Sequence, residues 1–322
     1  MKPIKLAGLA SALALVSFDA WAQTQVNIGV PNWPAARGVA AILKAVIEKE
    51  LGGKAETVPG NNPVIYKAMH EGKGDIDVHP DSWMPNQLNF KTEYVDEKKT
   101  VALNTKPYVA KQGMCVPKYV QEKFGVNSVY DLAKPEVVKA FDVEGKGKPE
   151  AWLGATGWAS TNVMRVQARD YGWGPFYAES NIDETLLFGR LDDYYKNKKP
   201  ILFYCYRPHW TNLKYDLVML QEPPHNASCY KMVQPQEDPD WFNKSKVTCA
   251  MEDVAAHVAY SKSLERRAPA VARLLANVSF TSEQMSEITE AIAVRKMNEN
   301  EFAAQWLARN QHSVKQWLGL AH

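Results

Sequence analysis

Strand-like and helix-like segments alternate along the first part of the chain, and this pattern constrains the fold more than any other. Short segments at 26–30, 55–58 and 75–78 are predicted to be strands. The intervals between them contain apolar residues at helical spacing: Val39, Ile42, Leu43, Val46, Ile47 and Leu51, then Val64, Ile65, Ala68 and Met69. Alternation at this pitch predicts an α/β fold with a mainly parallel sheet. Ligands bind such sheets beyond the carboxyl ends of the strands.

The N-terminal segment has the composition of a secretory signal peptide. Lys2 and Lys5 precede an apolar run at 6–18 that is too short to span a bilayer, and Ala20-Trp21-Ala22 is a small-x-small cleavage site. We therefore expect residues 1–22 to be removed after Ala22 and the protein to be exported to the periplasm. The formal charge of +2 is close to neutral, so we expect no binding to nucleic acid or to an anionic membrane.

The remaining pattern predicts two lobes with a discontinuous first lobe. A chain of 322 residues is long enough for two cores. We assign 23–107 and 211–322 to lobe one and 108–210 to lobe two, with helices by pattern after about residue 261. The two crossings between these segments, near residues 105–108 and 207–211, would form a hinge, and the interlobe cleft is a natural small-molecule site.

The four cysteines are Cys115, Cys205, Cys229 and Cys249, and export permits disulfides. Cys229 and Cys249 flank a loop rich in Pro, Asp and Asn, so they are the predicted pair. Cys115 and Cys205 each lie in an apolar, strand-like run, where a buried free thiol is the commoner state. The spacings match no zinc pattern, and we expect no metal.

Residues 154–162 have the composition of a strand-to-helix turn, with two glycines and three small hydroxyl residues around Trp158. The backbone amides of Ala159 and Ser160 would then lie near a helix start, which favours anions. The face of an indole ring attracts a cation. This turn therefore suits a ligand with a cation at one end and a carboxylate at the other. The alternative is an ordinary turn whose tryptophan packs in the core.

Three segments, 74–86, 154–162 and 202–210, resemble in order and spacing the glycine betaine, choline and related quaternary-ammonium binding proteins of ABC importers. The resemblance covers nearly all of the chain after residue 22. It implies a two-lobed type II periplasmic binding protein fold, with a hinge and an interlobe cleft. It also implies a monomeric receptor, without cofactor, that captures a betaine-type solute and delivers it to an ABC permease in the inner membrane.

The resemblance further implies an aromatic cage. Its members would be Trp83, in the loop after the third strand, and Trp158, Tyr206, Trp33 and Tyr108; the amides of Ala159 and Ser160 would hold a carboxylate. Trp33 and Tyr108 match residues of the choline-type branch. A quaternary ammonium has no N–H to donate, so ring faces suit it better than point acceptors. For each aromatic residue, packing in the core is the alternative.

Two positions depart from the family pattern. Gln87 stands where some relatives have a histidine, and Arg207 replaces a neutral residue found in some relatives. A fixed cation beside the cage needs a neutralising partner, and we expect either a ligand carboxylate or one of the acids Asp81 and Glu222. The first option places Arg207 among the ligand-binding residues and favours a zwitterion over choline.

An exported enzyme acting on a small onium or zwitterionic substrate is the alternative function. His79 and Asp81 beside Trp83 are compatible with catalysis or with a polar loop. However, the sequence around Ser160 is not the Gly-x-Ser-x-Gly of a nucleophile elbow, and no phosphate loop or dinucleotide fingerprint is present. We therefore expect a binding protein. The sequence leaves the ligand open among glycine betaine, other betaines, carnitine, choline, dimethylsulfonio compounds and methylamine oxides.

Overall fold

The computed structural model describes residues 25–320, so the predicted signal peptide and its cleavage site after Ala22 lie outside the described residues. The strands are β1 (Gln25–Val30), β2 (Lys54–Pro59), β3 (Val78–Met84), β4 (Val101–Leu103), β5 (Tyr108–Pro117), β6 (Glu150–Trp152), β7 (Ala178–Ser180), β8 (Leu202–Arg207), β9 (Leu217–Met219), β10 (Tyr230–Lys231), β11 (Lys246–Val247) and β12 (Val254–Ser261). The helices are α1 (Pro34–Glu50), α2 (Asn62–Glu71), α3 (Leu88–Phe90), α4 (Lys118–Phe124), α5 (Pro135–Phe141), α6 (Ala159–Asp170), α7 (Glu184–Lys196), α8 (Thr211–Lys214), α9 (Trp241–Lys244), α10 (Leu264–Arg267), α11 (Pro269–Asn277), α12 (Ser282–Ala293), α13 (Glu299–Arg309) and α14 (Gln311–Trp317). Within this range, no helix combines the length and the apolar character that crossing a membrane requires.

The main sheet is shared between two lobes that repeat one arrangement. In lobe one, β2, β1 and β3 are parallel neighbours and β12 lies antiparallel beside β3. In lobe two, β7, β6 and β8 are parallel neighbours and β5 lies antiparallel beside β8. Each lobe is therefore built from three parallel strands and one antiparallel strand, which confirms the predicted two-lobed α/β fold.

Strands β5 and β12 carry the chain between the lobes. The first three residues of β5, at 108–110, pair with β12 at 254–256, and the next five, at 111–115, pair with β8. The first crossing therefore begins at Tyr108, the end of the predicted crossing at 105–108. The second crossing lies at Val254–Ala256, whereas we expected it near residues 207–211.

Residues 212–253 lie between the expected and the observed position of the second crossing, and they pack on lobe two. Strand β9 pairs with β5, and the guanidinium of Arg169 on α6 donates to the carbonyl oxygens of Phe242 and Ser245. Near residue 210 the chain only touches lobe one, where the backbone N–H of Trp210 donates to Thr289 Oγ1 at 3.1 Å. From this strand pairing we propose that lobe one comprises 25–107 and 257–320 and that lobe two comprises 111–253.

Helix α1 shows how local sequence positions one end of the cleft. Trp33 is its N-cap residue, and Pro34 follows in the first turn, where the missing N–H removes no helical hydrogen bond. Its apolar face is buried as predicted, with Val39, Ile42 and Leu43 at most 1% exposed. Because this face fixes the helix on the sheet, Trp33 is held beyond the carboxyl end of β1.

Both cysteine pairs form disulfides. Cys229 and Cys249 are bonded as predicted, with Cα atoms 5.8 Å apart. Cys115 and Cys205 are also bonded, with Cα atoms 5.7 Å apart, so the expectation of two free thiols was wrong. The strands that contain them, β5 and β8, are antiparallel neighbours, and their pairing brings together two residues 90 positions apart in the sequence.

Candidate functional site

A cavity between the lobes is lined by residues of both. Lobe one contributes Trp33, Asn62, Trp83, Asn86 and Gln87, and lobe two contributes Trp158, Ala159, Ser160, Tyr204 and Tyr206. The centres of water-sized spheres can occupy about 40 Å³ of this space. A single water needs roughly 10–15 Å³ by the same measure. The cavity therefore has room for about three water-sized groups.

The rings that line the cavity contact one another across the cleft. Trp158 lies edge-on to Trp33, with ring centroids 6.0 Å apart, and Trp83 lies edge-on to Tyr206 at 5.2 Å. Trp158 also lies 6.4 Å from Tyr206 and 6.3 Å from Tyr204. The two lobes are joined further by a hydrogen bond of 2.8 Å from the Trp158 indole N–H to Asn32 Oδ1. These contacts make a continuous aromatic box from residues of both lobes.

The turn that carries Trp158 has the predicted conformation. Strand β6 precedes it, and Trp158 is the extended N-cap residue of α6. Gly154 has a φ of 120°, and a Cβ there would lie 2.4 Å from Thr161 Oγ1, which donates to the Ala155 carbonyl. The first-turn amides of a helix have no intrahelical acceptor. Because Ala159 and Ser160 line the cavity, this helix start faces the same space as the rings.

Trp83 lies within a strand, whereas we expected it in a loop. Strand β3 begins three residues later than predicted, at Val78, and Trp83 pairs with Ala256 of β12. The polar residues that obscured this strand are all buried and hydrogen-bonded. His79 bonds to Asn62 at 2.8 Å, and Ser82 bonds to Tyr66 at 2.6 Å. A strand with such a sequence becomes stable only because its partners come from distant segments.

Asp81 joins three aromatic residues of lobe one. Its Oδ2 accepts from the Trp33 indole N–H at 2.6 Å and its Oδ1 accepts from the Tyr108 hydroxyl at 2.7 Å. Burial raises the pKa of Asp81, and hydrogen bonds from Trp33, Tyr108 and Trp83 oppose that rise. Tyr108 does not line the cavity; it lies edge-on behind Trp83, at 6.3 Å. Asp81 therefore fixes the orientation of the rings on this side.

Strand β8 places Tyr204 and Tyr206 in the cavity and Arg207 outside it. Arg207 is exposed, and its guanidinium donates to Asn212 Oδ1 at 3.0 Å and to the Leu217 carbonyl at 3.5 Å. It is not among the residues that line the cavity, in contrast to our expectation. Successive side chains of a strand point to opposite faces, so a residue next to the inward Tyr206 points outward. The same rule would have identified Tyr204, which the sequence analysis missed.

Side-chain amides line another part of the cavity. Asn86 and Gln112 exchange two hydrogen bonds, at 3.0 and 2.8 Å, and the Tyr204 hydroxyl donates to Gln112 Oε1 at 2.6 Å. The neighbouring Gln87 is 3% exposed, and its Oε1 has no hydrogen-bond partner among residues 25–320. A buried amide oxygen without a partner is costly unless a bound molecule completes its hydrogen bonds.

His79 lies close to the cavity without a free ring nitrogen. The Asp81 N–H donates to its Nδ1 at 3.2 Å, so its Nε2 carries the hydrogen and donates to Asn62. Burial lowers the pKa of His79 to about 3, which keeps the ring neutral. In the part of the chain that the structure describes, no group of three or more His, Cys, Asp or Glu side chains could hold a metal ion.

The match to a known protein family agrees with this geometry. The model of the family described as the substrate-binding domain of ABC-type glycine betaine transport systems matches residues 24–309. The chain belongs to this family. Its members are the receptors of transport systems, and the resemblance inferred from the three sequence segments is thereby confirmed.

Individual relatives are distant in sequence. The glycine betaine/proline betaine-binding periplasmic protein of Escherichia coli K12 is 19% identical over 255 residues, which are 77% of this chain and 76% of that protein. The glycine betaine-binding periplasmic protein OusX of Dickeya dadantii is 23% identical over 184 residues, 55% of each chain. Identity at this level is consistent with the family. It does not identify the ligand, which has to be argued from the residues of the site.

Solved structures show the same fold. The glycine/betaine/L-proline-binding protein ProX of Borrelia burgdorferi superposes with a TM-score of 0.72 at 21% identity, over 91% of this chain and 96% of that chain. Lactococcal OpuAC, in a closed conformation complexed with glycine betaine, gives 0.69 at 20% identity, over 91% and 99%. A choline-binding protein in complex with choline also gives 0.69 at 20% identity, over 92% of each chain.

Proposed function

We propose that this protein is a periplasmic receptor that captures a small onium solute with a carboxylate, such as glycine betaine, and delivers it to an ABC permease in the inner membrane. The observation that carries the proposal is that five aromatic rings and the start of helix α6 line one cavity between the lobes. Two solved relatives are complexes with choline and with glycine betaine, and we extend that ligand class to this chain.

The aromatic box supplies what a quaternary ammonium needs. Trp33, Trp83, Trp158 and Tyr206 are the proposed cage, and Tyr204 joins them. Each ring offers apolar contact and a negative face, at roughly 0.5–2 kcal/mol per ring. The buried acid Asp81 adds negative potential beside Trp33 and Trp83. Tyr108 acts through Trp83 and Asp81, because it does not reach the cavity itself.

The opposite end of the ligand would bind at the start of α6. The amides of Ala159 and Ser160 are the proposed carboxylate donors, assisted by the positive end of the helix dipole. Arg207 has no part in this proposal, because its guanidinium bonds to Asn212 outside the cavity. Preference for a zwitterion therefore depends on the helix start and not on an arginine. Rings and helix start together could reach about −8 kcal/mol, which is a micromolar dissociation constant.

We infer that the protein binds its ligand without chemical turnover and acts as a monomer. His79 is neutral and both of its ring nitrogens are hydrogen-bonded, so it is not placed to act as a general base. Export to the periplasm, with Gln23 as the first residue of the mature protein, is part of the proposal and is checked by mass spectrometry of the secreted form.

Lobe closure is the proposed mechanism. The ligand would favour the closed form because it touches both lobes at once, and the permease would read that form. Residues 108–110 and 254–256 are the positions about which the lobes would move.

Isothermal calorimetry with a panel of glycine betaine, proline betaine, carnitine, choline and dimethylsulfoniopropionate tests the proposal. We expect saturable binding of at least one betaine at micromolar concentration, with a change in tryptophan fluorescence and no product by mass spectrometry. Weaker binding of choline than of glycine betaine would support the carboxylate site. Absence of binding across the panel would refute the proposal, and turnover of any ligand would replace it with the enzyme alternative.

A further inference from the structure

A buried carboxyl group lies directly behind one ring of the cavity. Glu184, at the start of α7, is 3% exposed, and its Oε1 accepts a hydrogen bond of 2.6 Å from the Tyr206 hydroxyl. Its Oε2 has no hydrogen-bond partner among the residues that the structure describes. A buried carboxyl oxygen without a hydrogen-bond partner costs free energy. The stability of the fold alone therefore does not account for a carboxyl group at this position.

An unused hydrogen-bond donor lies beside the same carboxyl group. His209 Nδ1 lies 2.9 Å from Thr211 Oγ1 and 3.4 Å from the Thr211 backbone nitrogen, and with the Thr211 hydroxyl and N–H as donors the hydrogen of the neutral ring is on Nε2. This Nε2 lies 3.9 Å from Glu184 Oε1 and has no partner within the described part of the chain. A shift of roughly 1 Å would bring it within hydrogen-bond range of the carboxyl group. Such a donor would stabilise the ionised form of Glu184.

We propose that Glu184 is the counter-charge of the bound onium group, and that its carboxyl group releases a proton to solvent when a cation enters the cavity. The inference rests on the proposed function. In the empty protein the proton would be on Oε2, since Oε1 accepts from Tyr206. On binding, the O–H bond breaks, its electron pair stays on the carboxylate, and the buffer takes the proton.

The electrostatics support this direction. Burial raises the pKa of Glu184 to about 8, and the hydrogen bond from Tyr206 opposes the rise. Near pH 7 the empty protein therefore keeps the proton. A permanent cation in the cavity that Tyr206 lines favours the carboxylate and lowers this pKa. Because binding releases a proton, the affinity for the ligand rises with pH between the pKa of Glu184 in the complex and about 8. The total rise is about tenfold for each pKa unit by which the ligand lowers the pKa of Glu184.

Other titratable groups near Glu184 can be separated from it. Tyr204 and Tyr206 on β8 are buried, which raises the pKa of each above its usual range and keeps both neutral. Burial lowers the pKa of His209 to about 3, so it stays neutral as well. Burial also raises the pKa of Asp81 in lobe one. Any contribution of Asp81 to proton release would remain in a variant of Glu184.

Calorimetry of glycine betaine and choline binding, in phosphate and in Tris at pH 7, tests the proposal. The difference in binding heat between the two buffers measures proton release. For the wild type we expect release of up to one proton and affinity that rises about tenfold from pH 6 to pH 9. The Glu184→Gln variant keeps the acceptor for Tyr206, and we expect it to bind both ligands with no proton release and little pH dependence.

Glu222→Gln is the matched control. Glu222 is a second buried glutamate of lobe two, whose pKa burial raises to about 7, and its contacts are with Gln167 and Tyr171. It does not line the cavity, so this variant should release protons as the wild type does. A second control does not depend on folding of a variant. A choline analogue with a tert-butyl group in place of the trimethylammonium group should bind the wild type without proton release.

The outcomes distinguish the inference from the proposed function. If the wild type binds betaine with no proton exchange, or if Glu184→Gln releases as many protons as the wild type, the inference is refuted and the receptor function stands. If the neutral analogue of choline releases as many protons as choline does, the positive charge is not the cause and the inference is again refuted. If no onium compound binds at any pH, the proposed function itself fails.

Discussion

The two walls of the cavity are built from similar rings and differ in how those rings are held. In lobe one, both oxygens of Asp81 accept hydrogen bonds, from Trp33 and Tyr108. In lobe two, Glu184 holds Tyr206 through one oxygen, and the other has no partner in the described range. A buried acid with a hydrogen-bond donor on each oxygen fixes the side chains that donate to it. A buried acid with one unpartnered oxygen can carry a proton there and can lose it. If Glu184 loses its proton on binding as proposed, a wall fixed by Asp81 faces a wall that responds to charge.

The largest expected effect concerns the disulfide that holds strand β8, which carries the lobe-two rings Tyr204 and Tyr206. Cys205 lies between Tyr204 and Tyr206 and is bonded to Cys115, which closes a loop with a sequence separation of 90. We expect the Cys115→Ala/Cys205→Ala variant to lose about 4 kcal/mol of unfolding free energy. The bridge from Cys229 to Cys249 closes a separation of 20, and its removal should cost about 3 kcal/mol. Equilibrium unfolding in urea measures both, and the reverse order would contradict the expectation.

The next effect concerns the ring that contacts both walls. Trp158 lies within 6.4 Å of Trp33, Tyr204 and Tyr206, measured between ring centroids. We expect Trp158→Ala to weaken betaine binding about a hundredfold, or roughly 3 kcal/mol, because several contacts are lost together. Trp158→Phe keeps a ring and loses only the hydrogen bond to Asn32, so it should lose less. Titration followed by calorimetry compares them, and equal losses would assign the effect to the hydrogen bond.

Asp81→Asn tests whether the lobe-one wall is fixed by hydrogen bonds. The asparagine keeps one acceptor and presents an amide to the second donor, so Trp33 or Tyr108 loses its partner. We expect about 2 kcal/mol less unfolding free energy and about tenfold weaker binding. Glu184→Gln at pH 6 should change neither by more than about 0.5 kcal/mol, because both side chains are then neutral. Similar losses in the two variants would remove the distinction between the walls.

The smallest effect is expected at Arg207. Its guanidinium bonds to Asn212 outside the cavity, so Arg207→Ala should change betaine affinity less than twofold. Tyr206→Ala, at the adjacent position, should weaken it about tenfold. A large loss on removing Arg207 would restore it as a carboxylate partner and would contradict the proposed role of the α6 amides.

The sequence predicted local structure well and long-range pairing poorly. Helix α1 and the turn at Trp158 were predictable because periodicity, a proline and two glycines specify them locally. Strand β12 was missed, and with it the second crossing, because its role depends on pairing with β3 and β5.

Within the site, four of the five aromatic residues that line the cavity were predicted, whereas Tyr204 and the hydrogen-bond partners of the rings were not. Trp33, Trp83, Trp158 and Tyr206 line the cavity together with Ala159 and Ser160, and their binding of a ligand stays a prediction. Glu184 lies 22 residues before Tyr206 in the sequence, and no local pattern links them. Arg207 was placed in the cavity because of its neighbour in the sequence, although alternation along β8 would have excluded it.

The pairing of β5 with β12 determines how the lobes can move. The chain crosses between the lobes in a short antiparallel ribbon, in which Val109 faces Ala255, and not in two independent linkers. Such a ribbon bends and twists about one principal axis, because its backbone hydrogen bonds resist other distortions. If the lobes close as proposed, both crossings would bend together, and closed molecules would share one relative orientation of the two lobes.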